Sequence, residues 1–232
     1  MRRIERPSPN HDARPAAVDM LVLHYTGMPT AQAALERLCD PAAKVSAHYT
    51  IDRDGTVYAH VPEERRAWHA GASFWAGRTH LNDVSIGIEL VNPGHEFGYI
   101  PFTDDQLAAL TTLARAVLAR HAIAPARVLG HSDIAPARKT DPGELFPWRR
   151  LAEAGIGVWP ALSSPVPPAM ARSGETEAAA TALSRFGYGV PPQVDVPLES
   201  VIAAFQRHFR PAKIDGLWDA DCAALLADLS SP

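Results

Sequence analysis

Apolar positions along the chain follow two periods, one of strand type and one of helix type. "DMLVLHY" (19–25), "DVSIGIELV" (83–91) and "RVLGH" (127–131) are short, β-rich apolar runs of strand length. "AHYTID" and "TVYAHV" flank "RDG", a pattern that predicts a hairpin turned at Asp54–Gly55. Between these runs, "TAQAALERLCD" and "TDDQLAALTTLARAVLARH" carry helical spacing. In the second, Leu107, Leu110, Ala114, Val117 and Leu118 share a face, and Thr103 with Gln106 reads as a T-x-x-Q capping box. Ile86, Ile88 and Leu90 read as covering both faces of a buried strand, which makes Glu89 an anomalous carboxylate in an apolar run. Strands alternating with helices predict an α/β fold, a mixed β-sheet flanked by helices, since a hairpin cannot belong to a purely parallel sheet.

The periodicity lapses over "PALSSPVPPAMARSG" (160–174), where Pro, Ser and Ala form a linker signature. Three short amphipathic segments follow, "ETEAAATALSRFGYG", "LESVIAAFQRHF" and "DADCAALLADL". The second puts Leu198, Val201, Ile202, Phe205 and Phe209 on one stripe. The organisation expected is a domain over 1–159 able to hold a site, a linker at 160–174, and a small C-terminal three-helix domain over 175–232. A proline-rich connector rarely carries core contacts, so a fragment ending near Pro160 is expected to fold alone.

Composition narrows the function classes. The 232 residues are 47% hydrophobic and 21% charged, with a formal net charge of -4. An acidic balance does not make the basic footprint of a nucleic-acid binder, so no nucleic-acid partner is expected. The opening "MRRIERPSPNHDARP" is charged and proline-rich where a secretory leader needs an apolar run, and "MLVLHY" is too short to span a bilayer. A cytoplasmic protein without a transmembrane segment, acting as a monomer, is the expectation. A periplasmic or outer-membrane-associated location is the alternative if a leader has been cleaved. The two cysteines, Cys39 and Cys222, fall in different parts of the chain and form no disulfide framework.

Candidate chemistry gathers around "GHSDIAPARKTDPG" (130–143). His24 and His131 each end an apolar run, where a strand meets its loop and ligand sites form in sheets covered by helices. A catalytic zinc takes three protein ligands and keeps an open position. The third ligand stays open between Asp133, which can also cap its own turn, and Asp141, which spacing favours slightly. Glu89 reads either as a general base beside a metal-bound water or as a buried ion-pair partner. Lys139 either faces a developing oxyanion or neutralises the acidic loop.

Taken together, "LHYTG", "SAHYTID", "AWHAG", "SIGIELVN" and "GHSDIAPARKTDPGELFPW" resemble the zinc-dependent N-acetylmuramoyl-L-alanine amidases of the type 2 amidase family, the AmpD and AmiD group related to peptidoglycan recognition proteins. The resemblance runs from about Ser8 to Trp148. It implies Zn2+ held by His24, His131 and Asp141, Glu89 as the acid/base residue and Lys139 as the stabiliser of the tetrahedral intermediate. It further implies that Tyr49 lies near the metal and that Trp68, His69 and Asn82 line a substrate groove. The partners implied are peptidoglycan or soluble muropeptides, and the reaction is cleavage between N-acetylmuramic acid and L-alanine in cell-wall recycling or turnover. A non-catalytic recognition protein of the same fold and a zinc carboxypeptidase of the stem peptide are the alternatives. The tail resembles a three-helix peptidoglycan-binding domain through "FGYG", "VIAAFQRHF" and "IDGLWDADCAALL", departing from it at Asp219 and Cys222.

Overall fold

A computed structural model describes residues 2–161 and 175–230. Most of the linker expected at 160–174 therefore lies outside the described residues. Among the described residues the strands are β1 (Arg3–Glu5), β2 (His11–Ala13), β3 (Met20–Tyr25), β4 (Tyr49–Ile51), β5 (Val57–Ala59), β6 (Arg65–Ala67), β7 (Ser85–Leu90) and β8 (Val128–Gly130). The α-helices are α1 (Ala31–Cys39), α2 (Gly94–Phe97), α3 (Asp104–Arg120), α4 (His131–Ile134), α5 (Trp148–Glu153), α6 (Glu175–Phe186), α7 (Leu198–Phe209) and α8 (Ala220–Leu229).

Six strands form one mixed sheet in the order β1-β5-β4-β7-β3-β8, and β2 pairs with β6 in a separate ribbon. The expected hairpin is the antiparallel pair β4–β5, and the other pairings in the large sheet are parallel. The edge strand β1 comes from the charged opening segment, where Arg3 and Glu5 are exposed and no apolar alternation marks a strand. At the start of α3, Thr103 caps the Gln106 N–H as expected. The reciprocal half of the box is missing, because the Gln106 amide donates to the carbonyls of Ile51 and Val91 and pins the helix to the sheet.

Alternation along the strands gives the sheet two different faces. One face presents Leu21, Leu23, Tyr49, Ile51, Ile86, Ile88 and Leu90 to the buried stripe of α3. Ile86, Ile88 and Leu90 thus share a single face, which corrects the reading that they cover both. The opposite face of β7 is Ser85, Gly87 and Glu89, in register with Met20, Val22 and His24 of β3. Glu89 interrupts no apolar surface; it belongs to a polar row.

The second face is covered in two parts. At one end, Met20, Val22 and Leu129 share a core with Trp75, Ile134 and, from the C-terminal segment, Leu183, Tyr188, Phe205 and Phe209. The three expected tail helices are present, but they do not form a separate core of their own. The stripe on α7 packs onto the sheet and α4, since an isolated bundle of this size buries too little apolar surface. At the other end, the C-terminal ends of β3 and β7, the face stays open and forms a cavity.

Candidate metal centre

His24 is the fifth residue of β3, and Glu89 lies directly opposite it on β7. His131 starts α4 where β8 ends, and Asp141 returns across the loop to meet it. The Asp141 Oδ2 lies 3.0 Å from His24 Nδ1 and 3.1 Å from His131 Nδ1, and the two ring nitrogens are 3.0 Å apart. All three residues are buried.

Hydrogen bonds at the far side of each ring decide where its proton sits. His131 Nε2 faces the Ala70 carbonyl at 3.1 Å, an acceptor only, and an Arg138 nitrogen at 3.4 Å that already donates to that carbonyl; the nearer acceptor places the hydrogen on Nε2 and leaves Nδ1 as the lone pair. For His24 the chain is longer. Ser85 donates its hydroxyl to the Leu81 carbonyl at 2.6 Å, so its oxygen accepts from His69 Nε2. His69 Nδ1 then accepts from His24 Nε2 at 3.0 Å, and His24 Nδ1 is left without a proton. Burial, followed by the neighbouring His131, lowers the His24 pKa to about 4, and burial holds His69 well below its ordinary range. Burial raises the Asp141 carboxyl, and only protonated His131 and His24 rings would outweigh that and hold it below the usual carboxylate range; with both rings neutral, a cation must take their place.

Three electron-pair donors thus converge with no proton between them, an arrangement that is repulsive without a cation. Zinc bonds of about 2.0–2.1 Å in tetrahedral geometry need donor atoms about 3.3 Å apart, close to the separations here. The donor set and its spacing fit a zinc ion.

The surrounding cavity, about 360 Å³, is lined by Trp68, His69, Glu89, Lys139 and the three donors, among others. One Glu89 carboxyl oxygen is buried with no hydrogen-bond partner. Burial raises its pKa well above the ordinary value, Asp141 adds to this, and Lys139 opposes it. Lys139 is half-buried and has no ion-pair partner among the described residues.

Other expected groove residues are placed differently. Tyr49 lies on the α3 face of the sheet, opposite the cavity, with its hydroxyl donating to Glu63 at 2.7 Å. It pairs with Ile88 while Thr50 pairs with Glu89, and strand alternation fixes the side. Asn82 accepts from the backbone N–H groups of His69 and Ala70, holding the wall from behind. His69 is in the wall but acts on His24. Its ring lies over Gly87, where a Cβ would come within 2.5 Å of it.

Sequence reasoning missed Arg138, whose guanidinium donates to the carbonyls of Ala70 and Ala72 at 2.8 Å and lines the cavity beside Lys139. It also missed Asp133 as a buried junction: its carboxylate accepts from Tyr188 and His208, both far away in sequence. A polar His208 beside the apolar stripe of α7 was the available signal.

A family profile described as N-acetylmuramoyl-L-alanine amidase matches residues 14–144. The chain is 40% identical over 231 residues to N-acetylmuramoyl-L-alanine amidase AmiD of Escherichia coli K12, covering 90% of this chain and 80% of that protein. It is 39% identical over 163 residues to the 1,6-anhydro-N-acetylmuramyl-L-alanine amidase AmpD of Enterobacter cloacae, covering 62% of this chain and 85% of that one. The solved complex of E. coli AmiD with anhydro-N-acetylmuramic acid-L-Ala-D-gamma-Glu-L-Lys superposes with a TM-score of 0.80 at 39% identity, covering 94% of this chain and 91% of that one. Its fold, its site and these matches together establish that the chain belongs to the N-acetylmuramoyl-L-alanine amidase family.

Proposed function

We propose that the chain is a zinc hydrolase that cleaves the amide between N-acetylmuramic acid, including its 1,6-anhydro form, and the L-alanine of the stem peptide, acting on soluble muropeptides in cell-wall recycling or turnover. The observation that carries this reading is the meeting of three proton-free donors beside a carboxylate with one buried, unpartnered oxygen.

His24 Nδ1, His131 Nδ1 and Asp141 Oδ2 would hold the ion. When bound, zinc supplies Lewis acidity toward the scissile carbonyl and the attacking water. Glu89 takes the proton from that water as the C–O bond forms. It then delivers the proton to the alanine nitrogen as the C–N bond breaks, giving a carboxylic acid on the sugar and a free amine on the peptide. Lys139, unpaired at the cavity wall, faces the oxyanion of the tetrahedral intermediate, where one such donor is typically worth about 10²–10³ in turnover. A recognition protein without activity would lose a donor from this set, and here the set is complete.

The test is metal analysis with product analysis. One zinc per chain should co-purify, a chelator should abolish cleavage of anhydro-muropeptide, and zinc should restore it. Mass spectrometry should find free anhydro-sugar and intact peptide. Full cleavage by metal-free protein would refute the zinc reading, and peptides shortened at the carboxyl end with the sugar still attached would indicate a carboxypeptidase.

A further inference from the structure

The short helix α4 carries His131 at its first position and Asp133 two residues later, pointing away from the cavity. The Asp133 side chain is 0% exposed. Three donors meet it, each at 2.7 Å: the Gly130 N–H and His208 Nδ1 at one oxygen, and the Tyr188 hydroxyl at the other. The first is local, whereas the other two come from the C-terminal segment. Neither of these is free to move. The His208 ring stacks on Trp148 with centroids 3.8 Å apart, and Tyr188 is fully buried against Trp75.

The residue between His131 and Asp133 completes the link, because the Ser132 N–H donates to the Asp141 carbonyl at 2.9 Å. One rigid turn therefore bears one metal-binding ring and ties down the backbone of the carboxylate donor. A buried carboxylate needs all its hydrogen bonds, so the position of this turn follows its donors.

We propose that Tyr188 and His208 are positioning residues of the metal centre: through Asp133 the C-terminal helices set where His131 and Asp141 stand. The tail then supports the active-site wall from behind, in addition to any role in binding wall polymer. The inference rests on His131 and Asp141 being metal ligands.

The experiment uses the full chain with Tyr188→Phe, His208→Leu and His208→Asn, the last keeping a donor near the Nδ1 position. Phe205→Leu serves as a control in the same core, at a side chain that packs against the Tyr188 ring but carries no donor for Asp133. Zinc affinity is read by competition with a chromophoric chelator, kcat and KM on soluble anhydro-muropeptide, and folding by circular dichroism. Tyr188→Phe and His208→Leu should weaken zinc binding by roughly 10–100-fold, as loss of outer support does at metal sites, and lower kcat more than KM changes. His208→Asn should recover most of the affinity, and Phe205→Leu should lower stability with zinc affinity retained. Folded variants that bind zinc like the parent, or an equal loss in Phe205→Leu, would overturn the proposal. A parent chain with no zinc affinity would overturn the metal reading and the proposal with it.

Discussion

Replacing Glu89 by Gln keeps the side chain's length and polarity but removes its ability to accept and return a proton. General acid–base catalysis is typically worth about 10²–10⁴ in rate, or about 3–5 kcal/mol at 1.36 kcal/mol per tenfold, so kcat on anhydro-muropeptide should fall by that factor. Zinc content should stay at one per chain, since no Glu89 atom belongs to the donor cluster. The substitution breaks no hydrogen bond of the partnerless oxygen. Burial raises the Glu89 pKa well above its ordinary 4.5, so in metal-free protein the folded state holds that proton more tightly than the unfolded state. Its contribution to stability is full below 4.5 and is lost as pH rises through the raised value. Gln has no such loss, and metal-free Glu89→Gln should resist urea better than the parent at pH 8 and show no such advantage at pH 4. Turnover within threefold of the parent, or a variant less stable at pH 8, would refute the reasoning and make Glu89 a structural partner.

Tyr49→Phe should leave kcat and KM unchanged and cost about 1 kcal/mol of stability, because its hydroxyl serves Glu63 on the far face; a tenfold fall in kcat would put Tyr49 back at the site. A chain ending at Pro160 should aggregate or melt without cooperativity, since it uncovers Met20, Val22, Trp75 and Leu129, each at most 2% exposed. A soluble, cooperatively folded fragment, as expected from the linker composition, would show that the shared core is dispensable.

The central strands were legible because β3, β7 and β8 are buried and apolar, and α3 because its stripe and cap are local. β1 was not, because an edge strand of charged residues has no alternation to read. His24, His131 and Glu89 stood out as polar groups at the ends of apolar runs or within them. Which side of the sheet each faces depends on pairing: one residue of register separates Tyr49, beside Ile88, from Thr50, beside Glu89. The division of labour between Asp133 and Asp141 was less accessible still. It depends on Tyr188 and His208, which lie 55 and 75 residues downstream of Asp133. The stripe on α7 announced that something would be covered, but amphipathicity carries no information about the partner surface.

Because His24 and Glu89 face each other across β3 and β7, their separation is set by the spacing of neighbouring strands, about 4.8 Å, and by no loop. Under the proposed mechanism, the backbone ladder would act as a fixed gauge between one ligand of the metal and the proton carrier. Loops around the cavity can lengthen, shorten or change charge to admit other sugars and peptides without resetting that gauge. Divergence in what is cut can thus proceed at the rim while the cutting distance is inherited unchanged from the sheet.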